Sequence, residues 1–384
     1  MIRLLVTAVA AALVTFWLHR RLVRLPGLRG RWAVVADVVL VVLGVATVGA
    51  FAVGGTLDPA WARPIGFVGF TWAAVIFYLL LGTLLIAAAR LIVRGVRRLR
   101  GGDGGAGFGR RSTAVATAVV VIASVATVGY GLAEAASPRI VNESVAIENL
   151  PAAFDGSRIA LVTDLHAGPA RGGGFVRDVV DAVNAQKPDL VILGGDLTDG
   201  TVALVGPDLE ALRDLHAPLG VYGVSGNHEY YVDDGGSWLD FWETLGIRTL
   251  RNQRVELHRG GAVIDLAGVY DKTAPEPNAP DYQRALGGRT AGRSVVFVAH
   301  QPGQAYSAAA YAPDVQLSGH THDGQMWPNT YLAAAANPVV AGWGDVDGVK
   351  VYVTRGTGAW GPPVRVLAPP EITMMTLHRN HSMN

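Results

Sequence analysis

The 384-residue chain contains no cysteine, and charged residues make up only 16% of it. The absence of cysteine excludes disulfide bridges, thiolate zinc sites and cysteine nucleophiles, although it does not identify the redox compartment. The formal net charge is +1, and half of the residues are hydrophobic. These averages hide a sharp split, because the chain up to about Ala136 is almost wholly apolar apart from clusters of arginine. The rest has the composition of an ordinary soluble domain.

Four long apolar runs occupy the first part of the chain. They cover residues 2–18, 32–53, 66–93 and 112–132. Each is close to the roughly 20 residues that a helix needs to cross a bilayer. We therefore predict an all-α transmembrane region of four helices over residues 1–136, followed by a second domain over residues 137–384. The protein is predicted to pass several times through the cytoplasmic membrane.

Arginine is distributed unevenly over the connections between these runs. The first and third connections are rich in arginine, whereas the middle connection carries only Arg63, near Asp58. By the positive-inside rule, the two arginine-rich connections are cytoplasmic. Both chain ends and the second domain are then predicted to lie outside the cytoplasm. Asp37 is the one acid well inside a predicted span, and we expect it to make a helix-packing contact or to snorkel rather than to mark an ion path.

The region around the fourth run admits two interpretations. Arg110-Arg111, the apolar run and the alanines after it resemble a twin-arginine-type export signal, which would be cleaved. A retained anchor is favoured, since three spans already precede it. Gly101–Gly109, just before this run, is predicted to be a flexible cytoplasmic linker.

The second domain shows short β-rich runs that alternate with helical patterns. Arg158–Thr163 and Asp189–Leu193 read as buried strands, with an amphipathic helix over Phe175–Asn184 between them. Arg254–Tyr270 reads as two antiparallel strands around a glycine turn. This alternation predicts an α/β fold.

Polar motifs follow these strands, at the points where the strands end. Catalytic groups in layered α/β folds usually occupy such positions, so the side chains are expected to meet at one edge of a sheet. Carboxylates suit hard divalent cations and imidazole suits zinc, iron and manganese, so this set fits two metal ions that share one carboxylate. Two such ions can cut phosphate esters. The motifs are Asp164-x-His166, Asp196, Asn227-His228, His300 and His320-x-His322.

Each motif alone is a weak signal. A lone aspartate after a strand is more often a turn or a helix cap, and Gly-Asn-His could be a plain turn. The His320-x-His322 pair could be structural; as a ligand pair, we expect it on a strand, where residues i and i+2 share a face. The succession of all the motifs at strand ends favours one metal site.

In this order the motifs resemble those of the calcineurin-like metallophosphoesterases, whose pattern is D-x-H, G-D-x-x-[DN], G-N-H-[DE], a lone H and G-H-x-H. The resemblance runs from about Leu150 to Leu377, and it is strongest for a bacterial membrane-associated branch in KPDLVILGGDLTD, PLGVYGVSGNHEYY and SGHTHDGQ. It implies a two-sheet β-sandwich flanked by helices. The matching segments are Asp164–His166, Gly195–Asp199, Gly226–Glu229, His300 and Gly319–His322.

The resemblance also implies a role for each matching residue. Two divalent ions are expected, and manganese, iron and zinc all remain open. His228 would not bind metal but would face the phosphate, stabilising the transition state or protonating the leaving oxygen. Glu229 would steady a neighbouring group. Asp164, His166 and His322 would hold the first ion, Asp196 would bridge both, and Asn227, His300 and His320 would complete the second.

Several residues near the motifs carry open interpretations. Asp323 stands where the branch usually has glycine, which puts a charge beside the metals. Arg355 could contact phosphate or make structural hydrogen bonds. The aromatic residues of one short stretch form either ordinary core, which is favoured, or an apolar lip at the site. This stretch contains Tyr230, Tyr231, Trp238, Phe241 and Trp242.

The sequence therefore predicts a membrane-anchored phosphoesterase that uses metal-bound hydroxide. A phosphodiester substrate is preferred over a monoester because of the resemblance to the branch. A lipid-linked or cell-envelope phosphodiester is a hypothesis from tethering alone. The lipid bilayer is the other expected partner, and no nucleic-acid binding is predicted.

Three alternatives remain. A nucleotide-sugar-lipid pyrophosphatase would act on a cytosolic substrate, which the predicted orientation disfavours. A non-catalytic metal-binding membrane scaffold is disfavoured by the intact ligand set and His228. A four-helix transporter with a regulatory domain is disfavoured by the scarcity of polar residues within the spans.

Overall fold

The computed structural model describes residues 2–100 and 110–380, so the predicted linker Gly101–Gly109 lies outside the described residues. Four long helices come first, each long and apolar enough by length and composition to cross a membrane. α3 is 41 residues long, or about 62 Å at 1.5 Å per residue, which is twice the thickness of a hydrocarbon core. These helices are α1 (Ile2–Leu18), α2 (Arg31–Ala50), α3 (Pro59–Leu99) and α4 (Arg110–Ala135).

The rest of the described chain alternates strands with short helices. α4 ends four residues before the first strand begins, close to the predicted boundary at residues 136–137. In chain order the elements are β1 (Arg139–Ile147), β2 (Arg158–Val162), α5 (Gly173–Ala185), β3 (Leu190–Leu193), α6 (Val202–Leu209), β4 (Val221–Gly223), α7 (Gly235–Thr244), β5 (Arg248–Thr249), β6 (Gln253–Arg259), β7 (Ala262–Gly268), α8 (Tyr282–Leu286), β8 (Val295–Val298), α9 (Ala305–Ala308), β9 (Val315–Ser318), α10 (Thr330–Ala336), β10 (Gly342–Val346), β11 (Val349–Val353) and β12 (Glu371–Arg379).

The strands form two six-stranded sheets. The first has the order β1-β12-β2-β3-β4-β5 and the second has the order β10-β11-β9-β8-β7-β6. In the first sheet β2, β3, β4 and β5 are parallel, and β12 runs antiparallel to β2. In the second sheet β7, β8, β9 and β11 are parallel, with β6 and β10 antiparallel at the edges. The predicted two-sheet α/β fold with flanking helices is confirmed.

The strands in the middle of the first sheet are buried on both faces. On β2, Ile159 and Leu161 pack into the core between the sheets, whereas Ala160 and Val162 pack into a core with the helices. Successive side chains of a strand point to opposite faces, so a strand covered on both faces is apolar throughout. This explains why these short strands read as continuous runs of valine, isoleucine and leucine.

The first part of the chain packs directly against the second. On α3, Arg63 forms an ion pair with Asp208 (2.5 Å) and donates to the carbonyl oxygen of Gly168 (3.2 Å). The connection between α2 and α3 also contacts the two-sheet part, because the backbone N–H of Thr201 donates to the carbonyl oxygen of Gly54 (3.0 Å). The middle connection and the two-sheet part therefore lie together at one end of the helices.

Among the first four helices, Asp37 on α2 contacts the residue that directly follows α1. One of its carboxylate oxygens lies 2.6 Å from Nδ1 of His19, just past the end of α1. The predicted helix-packing contact of Asp37 is therefore present.

Candidate metal centre

The predicted site residues lie just beyond the C-terminal ends of five strands, and almost all of them are buried. The ends of β2, β3 and β4 lead to Asp164, Asp196 and Asn227, and the ends of β8 and β9 lead to His300 and His320. Several of these residues have left-handed backbone conformations, which cost of order 1 kcal/mol each in a non-glycine residue and cluster at functional sites. The left-handed residues here are Asp164, His166, Asp196, His320 and His322.

The expectation that His320 and His322 lie on a strand is wrong. β9 already ends at Ser318, and the two histidines have φ angles of 75° and 52°. The reason is a hydrogen bond from the backbone N–H of His320 to the carboxylate of Asp164 (3.1 Å). This contact pulls the chain out of the strand direction, so a turn, not a strand, brings both histidines to the site.

One cluster of possible metal ligands contains Asp164, His166 and His322, whose ligand atoms all lie within 4.8 Å of one another. Nε2 of His322 is 3.2 Å from Oδ1 of Asp164 and 3.0 Å from Nε2 of His166. These are the residues that the sequence assigned to the first ion.

A second cluster contains Asp196, His300 and His320. Oδ2 of Asp196 lies 3.0 Å from Nε2 of His300, and Asp196 also belongs to a third cluster with His166 and His228. Asp196 therefore lies between the two predicted ligand sets, where a bridging carboxylate would have to be.

Asn227 has its side-chain oxygen free for a ligand. Its amide nitrogen donates to the Tyr231 hydroxyl (2.8 Å), whereas its buried Oδ1 has no hydrogen-bond partner among residues 2–100 and 110–380. A buried oxygen without a partner is costly unless a cation or water meets it. Together with the two clusters, this donor set fits two divalent ions.

Asp199 holds two histidines of the site. Its Oδ1 lies 2.9 Å from Nδ1 of His166 and 2.5 Å from Nδ1 of His228. Each ring can donate its Nδ1–H to this carboxylate, which leaves Nε2 turned to the centre of the site. The sequence placed Asp199 in a motif without a role, because only the folded chain shows that it contacts both rings.

The charges of the site oppose the effect of burial. Burial would raise the pKa of Asp196, but the charges of His300 and His228 lower it well below its usual range. Burial would lower the pKa of His228, but Asp196 and Asp199 raise it to about 9. His228 is therefore protonated at neutral pH, as a proton donor must be.

A fully buried arginine lies behind His322. Nη2 of Arg365 is 2.9 Å from Nδ1 of His322, and Nη1 donates to the His322 carbonyl oxygen (2.9 Å). Burial, together with the positive charge of Arg365, lowers the pKa of His322 to about 3. The His322 ring is thus neutral, which is the form that binds metal ions. The sequence predicted no role for Arg365.

Glu229 links the loops that carry the ligands. Its carboxylate accepts hydrogen bonds from the backbone N–H groups of Asp196 (3.0 Å), Leu197 (2.8 Å) and Gly226 (2.6 Å). These contacts fit the expectation that Glu229 steadies its neighbours. A carboxylate that is bonded in this way to three backbone groups fixes the position of Asp196 relative to Asn227.

Arg355 forms ion pairs with both Asp323 and Glu371. Nε of Arg355 lies 3.2 Å from Oδ2 of Asp323, and Nη1 donates to Glu371 (2.9 Å). Of the two interpretations of Arg355, the structural one fits these contacts. The extra charge of Asp323 thus faces a cation that it shares with Glu371.

The aromatic stretch divides between core and lip. Trp238 and Trp242 are fully buried under the first sheet, so the core interpretation is confirmed for them. Tyr231 is exposed instead, and its ring centroid lies 4.6 Å from that of His228. Trp360, for which the sequence predicted no role, also lies beside His228, with 6.0 Å between the two ring centroids. Tyr231 and Trp360 thus form an apolar lip beside His228.

Comparisons with known proteins agree with this geometry. A family model described as calcineurin-like phosphoesterase matches residues 157–324. The chain is 36% identical over 278 residues to a transmembrane protein with metallophosphoesterase domain from Danio rerio, covering 70% of this chain and 63% of that protein. It is 37% identical over 246 residues to an uncharacterized metallophosphoesterase from Helicobacter pylori, covering 63% of this chain and 64% of that protein.

A shorter relative is matched over most of its length. The chain is 30% identical over 244 residues to an uncharacterized metallophosphoesterase from Aquifex aeolicus, covering 62% of this chain and 91% of that protein. The chain spans less than two thirds of the length of the Danio rerio and Helicobacter pylori relatives.

Proposed function

The chain belongs to the calcineurin-like phosphoesterase family, and we propose that it is a membrane-anchored phosphodiesterase that works with two divalent metal ions. The observation that carries the proposal is the pair of ligand clusters, Asp164-His166-His322 and Asp196-His300-His320, at one buried edge of the sheets. A pair of sites that share one carboxylate is the arrangement used for phosphate-ester hydrolysis.

The ligand assignment follows the two clusters. Manganese, iron and zinc all accept this mixture of oxygen and imidazole donors. When bound, the two ions would activate water as the nucleophile and offset charge on the phosphate oxygens. Asp164, His166 and His322 would hold one ion, Asn227, His300 and His320 the other, and Asp196 would contact both.

His228 would act on the substrate rather than on the metals. It is protonated at neutral pH, Asp199 fixes its ring, and Nε2 lies 4.0 Å from Asp196 Oδ2, beside the ligand clusters. From there it would donate a hydrogen bond to the phosphate or a proton to the leaving oxygen. Tyr231 and Trp360 lie against its ring and would limit the access of water.

The choice of a phosphodiester rests on the resemblance to the membrane-associated branch. A lipid-linked or cell-envelope diester is the proposed substrate class, supported by the membrane helices and by the apolar lip formed by Tyr231 and Trp360. In the proposed orientation the arginine-rich connections are cytoplasmic and the two-sheet part lies outside. The close packing of the end of α4 against this part supports a retained anchor over a cleaved signal.

The test uses the full-length chain purified in detergent and supplied separately with manganese, iron and zinc. Hydrolysis of bis(p-nitrophenyl) phosphate and of the corresponding monoester would be measured for the wild type and for Asp196→Asn and His228→Ala. His258→Ala, at an exposed histidine far from the site, is the matched control. We expect metal-dependent turnover of the diester that both site variants lose and the control keeps.

Two results would overturn the proposal. Turnover of the monoester alone would exclude the diesterase. A folded, metal-loaded protein that cleaves neither ester in detergent nor a phospholipid diester in vesicles would favour the non-catalytic scaffold.

A further inference from the structure

An uncharged segment of the two-sheet part is exposed beside the membrane helices. No aspartate, glutamate, lysine or arginine occurs between Asp323 and Asp345. Within this stretch Trp327 is 46% exposed, and Tyr331 and Leu332 on α10 are 69% and 71% exposed. Large apolar side chains that cluster on a surface mark a site of interaction rather than ordinary solvent contact.

Two residues of a neighbouring loop extend this surface. Trp327 donates its backbone N–H to the carbonyl oxygen of Val366 (3.0 Å), which brings Leu367 next to it. Leu367 is 65% exposed and has a left-handed backbone (φ 56°), an unfavourable conformation for leucine. Trp360, at the other end of the loop, is 56% exposed. We call these five residues the apolar rim: Trp327, Tyr331, Leu332, Trp360 and Leu367.

The segment that carries the rim packs against α3 and α4. The hydroxyl of Tyr78 on α3 donates to the carbonyl oxygen of Trp327 (3.0 Å). Beneath the rim, Met326, Val364 and Val366 belong to the same apolar core as residues of the membrane helices. That core includes Leu40, Ala74, Val75, Leu79 and Val128.

The contact with Tyr78 lies well inside the length of the membrane helices. The hydroxyl of Thr47 on α2 donates to the Gly69 carbonyl oxygen on α3 (3.2 Å), which sets the two helices in register. Tyr78 follows Gly69 by nine residues, or about 14 Å along the axis. Because α2 runs in the opposite direction, Tyr78 is level with the region of Val38, near the middle of α2.

α2 defines the depth of the bilayer. Its 20 residues span about 30 Å, the thickness of a hydrocarbon core, and its valine side chains are exposed from Val34 to Val45. A surface that meets α3 level with the middle of α2 therefore lies among lipid chains, not in water.

We propose that the apolar rim is embedded in the bilayer and that lipid covers it. Its continuity with the core of the membrane helices is what identifies lipid as the occupant. The two-sheet part is then not a soluble domain on a tether, because a part of its own surface enters the membrane.

The embedded surface reaches the metal centre. Gln325, three residues after His322, donates to the carbonyl oxygen of Trp360 (2.8 Å) and accepts from its backbone N–H (2.8 Å). The Trp360 ring lies against His228. This step rests on the proposed function: the site opens beside the embedded surface, and its substrate is a phosphodiester that stays anchored in the membrane during hydrolysis.

The absence of native cysteine allows a direct test with single thiol labels. Leu332→Cys and Tyr331→Cys would be made in the full-length chain, labelled with an environment-sensitive fluorophore and reconstituted in phosphatidylcholine vesicles. His258→Cys is the control, because His258 is exposed in the β6–β7 hairpin, at the strand ends opposite the metal centre. Vesicles with brominated acyl chains report contact with lipid, and iodide reports contact with water.

We expect the labels at residues 331 and 332 to have blue-shifted emission, to be quenched by brominated lipid and to be protected from iodide. The label at residue 258 should behave in the opposite way. Quenching of all three labels by iodide would overturn the proposal. Protection from iodide without quenching by brominated lipid would also overturn it, because a protein chain would then cover the rim. Neither readout depends on turnover, so a failure of the proposed activity would be seen separately.

Discussion

The backbone nitrogen of Arg365 donates a hydrogen bond to the carbonyl oxygen of Gly131 on α4, at 2.9 Å. The guanidinium group of the same residue contacts the carbonyl oxygen and Nδ1 of His322. One residue therefore connects a membrane helix to a predicted metal ligand. The geometry of the metal centre thus depends on the position of α4.

Replacement of Arg365 should destabilise the protein strongly. The Arg365→Met variant leaves the buried carbonyl oxygen of Gly358 without the two guanidinium donors that meet it, at about 1–3 kcal/mol for the unsatisfied group. We expect the free energy of unfolding to fall by about 2 kcal/mol, and the measurement is chemical denaturation in detergent. Arg213→Met, at an exposed ion pair, is the control and should change stability by less than about 1 kcal/mol. Equal effects in both variants would contradict this account.

Two glycines of α4 provide a matched pair. A Cβ atom at Gly131 would lie 2.5 Å from a methyl group of Val364, whereas a Cβ atom at Gly129 would meet no described atom within 4 Å. Gly131→Ala should therefore lower the free energy of unfolding by about 1–3 kcal/mol, because the added methyl group overpacks this contact. Gly129→Ala should not lower it. Thermal unfolding of the two variants in the same detergent checks this. A Gly131→Ala variant as stable as Gly129→Ala would show that α4 does not pack closely here.

The carboxylate of Asp199 should set the pH range of activity. Burial lowers the pKa of His228, but Asp196 and Asp199 raise it to about 9, so the protonated form is lost as the pH rises through that value. In Asp199→Asn one of these charges is removed, and the alkaline fall in kcat should move to lower pH. Diester hydrolysis between pH 6 and 10, in about tenfold excess metal to offset weaker ligation by His166, measures the shift. If the alkaline fall in kcat stays at the same pH and only the metal affinity is reduced, Asp199 supports metal ligation by His166 and does not set the pKa of His228.

Trp360 should matter more for lipid substrates than for soluble ones. Because Trp360 belongs to the apolar rim and its ring also lies against His228, Trp360→Ala should reduce kcat/KM for a phospholipid diester in vesicles by about tenfold, or about 1.4 kcal/mol. Hydrolysis of bis(p-nitrophenyl) phosphate in the same preparation should fall by a smaller factor, because a soluble diester loses only the exclusion of water from His228. Tyr306→Ala, at an exposed ring on α9, serves as the control. Equal losses for both substrates would argue against a lipid-specific role.

The orientation of the protein can be tested with reporters. An alkaline phosphatase fused to the C-terminus becomes active only outside the cytoplasm, and a second fusion within residues 101–109 reports on the arginine-rich third connection. By the positive-inside rule, the C-terminal fusion should be active and the other one inactive. The opposite result would place the metal centre in the cytoplasm and would favour the nucleotide-sugar-lipid pyrophosphatase.

Much of the fold could be predicted from the sequence because the central strands are covered on both faces. β2, β3 and β8 appear as unbroken apolar runs, with the ligands directly after them. β1 was missed because it is an edge strand, in which Asn142 and Glu143 interrupt the apolar pattern. α6 begins at Val202, where no helix was predicted.

The metal centre was predictable to a similar degree. The ligand candidates could be found because each follows a strand, and strand ends meet in space. The contacts of Asp199 and Arg365 could not be found, since they join residues that are 29 to 43 positions apart. The turn at His320 was missed for the same reason: the carboxylate that bends the chain lies 156 residues earlier.

Because synthesis starts at the N-terminus, the two partners of the bond between Gly131 and Arg365 are made at different times. The ribosome completes α4 before it makes Arg365. The carbonyl oxygen of Gly131 is therefore already in the membrane when the last loop of the site is synthesised. The carbonyl oxygen of Ala135, which accepts from Arg171, is likewise present first. A chain expressed from Ser137 onward would lack both acceptors and the helices that cover Met326, Val364 and Val366. We expect such a fragment to aggregate and not to fold as an independent enzyme.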